Sequence, residues 1–268
     1  MITREKKAKI LERFQNKDEK MLISNVLDKA YQFERENKLF YTTFFNLHEL
    51  KLATAVLNET GIPYTIFSIN EQMQKKIIFF LPEYMIDIKE SIFAEYVKCI
   101  KITQSSKEKL RHQDYMGAIY SLGIKNEMIG DIFVLEKSAY VFCMKSVANY
   151  LLEQLWKVAK QEVKTEIISF EDEEIKNLKL NFITKEYIVP SLRVDAILSV
   201  VYQLSRKEAK EKIIKGDLWI NDKNIFYPNE LLKNADIVSL RKCGKLKMGE
   251  IVRKTRSENY VVLVSKYS

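Results

Sequence analysis

Five polar residues between positions 193 and 210 have types and spacings suited to gripping phosphate. Arg206 and Lys210 stand four apart and Lys207 and Lys210 three apart, so a helix brings each pair onto one face. Arg193 falls in the first turn of the helix before it. Ser205 and Glu208 have capping-box spacing, with Ser at the N-cap and Glu three residues on, and so start the helix that carries the lysines. Cations fixed at these intervals suit the phosphate and shape contacts that dominate recognition of structured RNA. Any single lysine here reads equally well as a solvated surface charge. The set, in this pattern, points to binding.

Other chemistry finds little support. The chain has two histidines, His48 and His112, and neither has a cysteine or second histidine at ligand spacing, so no metal site is expected. His112 with Asp114 reads as a helix cap and hydrogen-bonded pair, with RNA contact by His112 as the alternative. Cys99, Cys143 and Cys243 are too far apart for a C-x-x-C site, and their odd number makes no disulfide framework, so they read as small buried apolar residues. Glycine is scarce, 7 in 268, and neither dinucleotide nor P-loop glycine pattern occurs, which argues against a nucleotide-driven enzyme. No nucleophile elbow is present. No catalytic residue, metal or cofactor is assigned. Tyr140, Phe142 and Met144 share one strand face and could stack bases. Without a Lys-Gly-Phe-Gly-Phe pattern beside them, they are expected to pack beneath helices instead.

Charge supports a polyanionic partner. The net charge is +8. Residues 184–268 hold 17 basic and 10 acidic side chains, a net of +7, and residues 1–183 carry the remaining +1. A basic segment beside a neutral one makes nucleic acid the leading partner. With 47% hydrophobic and 30% charged residues, the chain can build a real core. Met1–Lys20 is highly charged and lacks the apolar run of a signal peptide. The charge-free stretch Ala196–Ser205 is about half of a membrane span, and no charge-free stretch is much longer. A cytoplasmic protein with no membrane partner is expected.

Three segments must position these residues, giving an α+β class. Residues 1–85 open with a helix over 5–35. A β-α-β-β unit follows, with strands at Tyr41–Asn46, Ile62–Ile69 and Lys76–Leu81, and a helix at His48–Glu59 that Gly61 closes. Residues 86–170 read β-α-β-β-α-β, a ferredoxin-like (RRM-type) order. The strands are Tyr96–Thr103, Gly130–Glu136, Ala139–Met144 and Lys164–Phe170. The helices are Asp114–Leu122, N-capped by Asp114, and Ser146–Val158. The acidic run Glu171–Glu174 marks a boundary and reads as a linker. Residues 184–268 form the last module, with helices Leu192–Leu204 and Ser205–Gly216, strands Leu218–Asn221 and Ile237–Arg241, and a basic C-terminal extension.

That last module resembles the S4 RNA-binding domain. The pattern runs Ser191-Leu192-Arg193-Val194-Asp195-Ala196-Ile197-Leu198, then Leu204-Ser205-Arg206-Lys207-Glu208-Ala209. It continues through Ile213-Ile214-Lys215-Gly216, Trp219-Ile220-Asn221 and Asp236-Ile237-Val238-Ser239-Leu240. Arg-x-Asp at Arg193–Asp195 also matches the catalytic aspartate motif of pseudouridine synthases. Here Asp195 lies inside the opening helix with no synthase-sized domain after it, and reads as a helix-surface or intramodule salt-bridge residue.

A second pattern narrows the family. Arg111-His112-Gln113-Asp114-Tyr115-Met116-Gly117-Ala118-Ile119, Leu122-Gly123-Ile124-Lys125 and Ile129-Gly130-Asp131-Ile132 are similar to the signature of the YlmH family. The basic tail from Cys243 through Lys247 and on to Tyr267 fits it too. Gln113 stands where the family has arginine, and Ile69–Lys76 lacks the family's glycine-bearing turn.

The resemblance implies a non-enzymatic bacterial RNA-binding protein of ribosome-associated quality control. Such a protein acts as a monomer on ribosomal RNA, tRNA and the large ribosomal subunit obstructed by peptidyl-tRNA. The RNA-binding residues expected on this reading are Arg193, Ser205, Arg206, Lys207, Lys210, Lys215, Lys242, Lys245, Lys247 and His112. The alternative is an RNA-modifying enzyme, of pseudouridine synthase or rRNA methyltransferase type, targeted by its S4 module. If about five phosphates are neutralised, log K should fall against log salt with a slope of about −3.5 to −4.5. Filter binding of RNA across a salt series measures it, and a slope near zero would contradict the electrostatic reading.

Overall fold

The computed structural model describes residues 4–68, 73–105, 109–178 and 182–267. The chain divides into two units, Met1–Lys179 and Leu180–Ser268. The stretches 1–85 and 86–170 both fall in the first.

Where one helix is expected at the N-terminus there are two, α1 (Arg4–Glu12) and α2 (Lys17–Glu36). The break comes from Asn16, whose side chain accepts the Asp18 and Glu19 backbone N–H groups as an N-cap. Ile23, Val26, Leu27, Ala30 and Phe33 form the buried stripe of α2. Strand β1 (Phe40–Tyr41) is shorter than expected. Past it Thr42 turns its hydroxyl to accept from Ile78 N–H, and only an isolated bridge, Phe45 to Lys76, continues the pairing. Helix α3 (Leu47–Thr60) opens on an Asn46–Glu49 capping box and closes at Gly61 with φ +74°. Strands β2 (Thr65–Phe67) and β3 (Ile77–Phe80) complete an antiparallel sheet of order β1-β3-β2. Ile69–Gln72, part of the expected family turn, lie outside the described residues.

A 3-10 turn at Glu83–Ile88 and α4 (Lys89–Tyr96) lead into the second sheet. Its elements are β4 (Val97–Gln104), α5 (His112–Ser121), β5 (Ile129–Val134), β6 (Ser138–Met144), α6 (Lys145–Gln154), β7 (Lys157–Val158) and β8 (Gln161–Ile168). The sheet order is β5-β6-β4-β8-β7, and every neighbour is antiparallel. Helix α6 stops four residues before the expected Val158. That valine instead pairs with Gln161 in a hairpin whose turn holds Ala159 at φ +52°. On one sheet face Ile100, Ile102, Val141 and Cys143 pack with Tyr115 and Ile119 of α5 and Ala148 and Leu151 of α6. Burial pushes the Cys143 thiol up to about 12 and Cys99 higher still, so neither is a reactive thiolate.

Tyr140, Phe142 and Met144 are buried, but not beneath the helices as expected. Cross-strand pairing with Lys101, Cys99 and Val97 turns them to the opposite face. There a layer of rings covers the sheet. Phe142 lies 5.8 Å from Phe133 and 6.1 Å from Phe170, and Phe170 lies 6.0 Å from Phe67. Phe67 and Phe79 both meet Phe93, at 5.2 and 4.8 Å. The N-terminal sheet thus covers the sheet face opposite α5 and α6. The expected acidic linker is also part of this packing. Glu173–Lys176 form a short helix, α7, and the Glu174 carboxylate takes hydrogen bonds from Lys101 Nζ (2.7 Å) and Tyr140 Oη (2.6 Å). Those two bonds hold Glu174 below the usual carboxylate range.

The Ile129-Gly130-Asp131-Ile132 motif joins the two sheets of this unit. The Asp131 carboxylate accepts the backbone N–H groups of Gln74 (2.8 Å) and Lys75 (3.1 Å), and Lys75 Nζ reaches the Asn126 and Ile129 carbonyls. Gly130 has no room for a side chain, because a Cβ there would lie 2.7 Å from the Phe44 ring and 3.1 Å from Phe142 Cβ.

The second unit begins with a strand absent from the sequence reading, β9 (Phe182–Val189). It continues with α8 (Val194–Tyr202), α9 (Arg206–Ile214), β10 (Leu218–Ile220), β11 (Lys223–Ile225) and β12 (Ile237–Leu240). The expected basic extension is a hairpin, β13 (Gly244–Lys254) and β14 (Tyr260–Tyr267). The six strands run in the order β11-β10-β12-β13-β14-β9. Leu246 and Met248 on β13 and Val262 and Val264 on β14 share a core with both helices, which is why this stretch is sheet and not tail.

Gly130→Ala must displace the Phe44 ring or the Phe142 stem, and it should cost about 1–3 kcal/mol. Chemical denaturation followed by circular dichroism checks this. Gly117→Ala, where nothing lies within 4 Å, should be neutral or stabilising.

Candidate nucleic-acid interface

The basic site of the second unit is organised by one buried carboxylate. Asp195 is 0% exposed. Its Oδ1 receives Arg193 Nε at 3.2 Å, its Oδ2 receives Arg193 Nη2 at 3.2 Å, and Arg206 Nη2 lies 3.5 Å from Oδ2. Asp195 therefore bridges the start of α8 to the start of α9. The arginine side chains remain 38% and 45% exposed, so each keeps donors facing outward. This is the intramodule salt bridge of the two alternatives the sequence leaves open for Asp195.

Local structure fixes both helix starts. Arg193, not Ser191, is the residue before α8, and Ser191 Oγ accepts its N–H at 3.1 Å. The segment 228–232 clamps the same end. Val194 N–H donates to Glu230 O (2.8 Å), Asp195 N–H to Pro228 O (3.3 Å) and Leu232 N–H to Leu192 O (3.0 Å). Helix α8 ends at Gln203 with φ +55°. Ser205 then caps α9, its Oγ accepting Glu208 N–H at 3.1 Å while Glu208 Oε2 accepts Ser205 N–H at 2.8 Å. Hydrogen bonding from the Ser205 hydroxyl, and then from its backbone N–H, holds the Glu208 carboxyl below its usual range. Ser205 thus has a structural task. Lys207 and Lys210 stand exposed on α9, with no ion pair among the described residues.

The other expected contacts are not gathered with these four. Lys215 is the C-cap of α9, and Lys242 sits at φ +65° in the turn between β12 and β13. In that region Arg241 pairs with Asp217 at 3.3 Å and covers the Trp219 ring at 5.8 Å. Lys245 and Lys247 alternate with buried Leu246 and Met248, so they occupy the sheet face turned away from α8 and α9. His112 belongs to the first unit, where it opens α5 on an exposed turn with Arg111 and Gln113. Asp114 is the third residue of that helix and not its cap; its carboxylate accepts Arg111 N–H at 2.8 Å. Sequence reasoning missed the Trp219–Arg241 stack and Tyr267, whose ring lies 6.0 Å from Lys245 Nζ. The alternation of β10 and β14 was the signal that could have shown them.

Other candidate chemistry has little to stand on. A hollow of about 420 Å³ in the first unit is lined by Tyr41, Tyr96, Met144, Lys145, Ser146 and Asn149, with no carboxylate in its wall. Among the described residues no group of three or more His, Cys, Asp or Glu side chains could hold a metal ion. No described helix is long and apolar enough to cross a membrane.

Residues 94–172 match the family model described as "Putative RNA-binding domain in YlmH". Over that stretch the chain is similar to a YlmH RNA-binding domain. The match covers β4 to β8 with α5 and α6, and it includes the Gly130–Asp131 junction to the N-terminal sheet. Over 247 residues the chain is 23% identical to the ribosome-associated protein quality control protein P2 of Bacillus subtilis strain 168, covering 92% of this chain and 94% of that protein. A solved structure, the cell division protein ylmH of Streptococcus pneumoniae, aligns with a TM-score of 0.48 at 19% identity, over 60% of this chain and 96% of that one. In residues 94–172 the sheet face opposite the helices is closed by aromatic rings, and Arg111, His112 and Gln113 are exposed at the start of α5.

Asp195→Asn preserves shape and removes the charge both arginines share. Stability should fall by about 1–3 kcal/mol, toward the lower end because the arginines can turn to water. RNA affinity should fall with it as Arg206 loses its orientation. Urea titration and filter binding on the same preparation separate the two effects.

Proposed function

We propose that this chain is a non-catalytic, monomeric RNA-binding protein of the cytoplasm. On this reading it binds ribosomal RNA and tRNA on the large ribosomal subunit obstructed by peptidyl-tRNA, within ribosome-associated quality control. The observation that carries the proposal is the Asp195 bridge, which presents Arg193 and Arg206 beside unpaired Lys207 and Lys210 as one preorganised cationic ridge. Two short helices in front of an antiparallel sheet support an S4-type module. In the first unit, the antiparallel order β5-β6-β4-β8 with two helices on one face supports a ferredoxin-like domain. The name of the Bacillus subtilis relative supports the ribosomal setting.

Structured RNA is the fitting target for the ridge. Its cations stand at helical intervals with no aromatic ring among them, so they suit phosphates and helical shape better than splayed bases.

The test is co-sedimentation with large subunits on a sucrose gradient. Lys207→Glu with Lys210→Glu should abolish association while the far-UV spectrum stays unchanged. Lys17→Glu with Lys20→Glu makes an equal change of charge on the first turn of α2, where acidic groups suit the helix dipole. It should leave association intact. Equal loss in both variants would reduce the attraction to net charge.

A further inference from the structure

The sheet of the second unit has two faces with different tasks. One is the core face, filled by Leu218, Val238, Leu240, Leu246, Met248 and Val264 under α8 and α9. On the other, among the described residues of this unit, no helix is packed. Pairing puts Trp219 opposite Ser239, Ser239 opposite Lys245, and Tyr267 opposite Phe182. The Lys245 ammonium lies 6.0 Å from the Tyr267 ring, which joins the file across β13 and β14. A second file, beside the first, runs Ile237, Lys247, Ser265 and Thr184. Two rings therefore stand three strand steps apart, about 14 Å, with lysines and hydroxyls between them.

We propose that this open sheet face is a second RNA-binding surface, one that takes single-stranded RNA by stacking bases on Trp219 and Tyr267 with the backbone over Lys245 and Lys247. The surface goes beyond the α8–α9 ridge and rests on the RNA-binding reading only for the class of its partner.

Three observations select a single strand. Base stacking needs an accessible ring face with a cation beside it; both rings are half-buried, Tyr267 meeting Phe182 edge-on at 4.8 Å, and each has a cation near it, Arg241 at 5.8 Å from Trp219 and Lys245 at 6.0 Å from Tyr267. A duplex keeps its bases stacked on one another and offers none to such a platform. The charge is also right. Asp217 is matched by Arg241 at 3.3 Å and Glu186 by Arg253 at 3.4 Å, while Lys247 is exposed on an inner strand and, among the described residues, in no ion pair. Ser265 and Thr184 share a hydrogen bond at 2.8 Å and line, with Lys247 and one carboxylate, Glu250, a shallow hollow at one end of the second file. In residues 94–172 the sheet face away from the helices is closed by the rings of Phe67, Phe142 and Phe170. Among the described residues, the sheet face left open to bases belongs to the second unit.

The experiment uses the full-length chain and two labelled RNAs, an unstructured oligouridine of about ten nucleotides and a stable hairpin. Lys247→Gln with Tyr267→Ser should weaken oligouridine binding by about tenfold or more and leave hairpin binding within about twofold. Lys207→Glu with Lys210→Glu should do the reverse. Trp156 and Trp219 are the two tryptophans. In a Trp156→Phe background, oligouridine should therefore quench the remaining Trp219 emission. Lys247→Gln alone, an exposed change, guards against a folding defect in the double variant. Undiminished oligouridine binding in both sheet variants, or its loss in the helix variant alone, overturns the proposal while hairpin binding keeps the ridge reading intact. Failure of the wild-type chain to bind either RNA overturns both.

Discussion

A carboxylate with no access to water governs the second unit. Unpaired, Asp195 would be destabilising by several kcal/mol, so the chain must keep guanidinium groups beside it. Arg193 comes from the same helix start, but Arg206 comes from the next helix, and its bond to Asp195 fixes how α9 leaves the turn. The Ser205–Glu208 capping box then sets the first turn of α9, and the direction of Lys207 and Lys210 follows from it. The surface cations are thus oriented from inside the core. Ordering them before the ligand arrives lowers the entropy lost on binding.

The first unit is governed by aromatic packing. Its two sheets share a layer of rings, and the Gly130–Phe44 contact and the Asp131 hydrogen bonds hold them in register. The result closes the sheet face that gives RRM-type folds their base platform. Tyr140 illustrates the outcome: its ring is buried, and its hydroxyl donates to Glu174 and faces no ligand.

Much of the fold was legible in local signals. Gly61 ends α3, and Ser205 and Glu208 start α9. The misreadings have physical reasons. Nearly every residue of β6 is buried, so alternation could not say which face the helices cover. Strand β13 carries register shifts between Met248 and Ile251 and between Ile251 and Arg253, which break its period and disguise the hairpin as a basic tail. Asn16 stops a helix inside a continuous amphipathic pattern. The charges of the candidate site were visible as residue types. That Asp195 joins Arg193 to Arg206, and that Lys245 and Lys247 point away from both, depends on tertiary pairing that no local spacing reports.

The pairing of β9 with β14 has a consequence for biogenesis. Tyr267 lies opposite Phe182, so the first strand of the second unit finds its partner only in β14, about eighty residues on. Until β14 has been made, β9 has no neighbour on that edge, and β13 also lacks the strand that completes its hairpin. Because loop closure across a whole module must precede the contacts that reward it, the sheet cannot close vectorially as the chain emerges. The first unit, whose sheets pair within residues 40–168, has no such dependence. Synthesis of β14 is therefore the event that lets the basic module close its sheet.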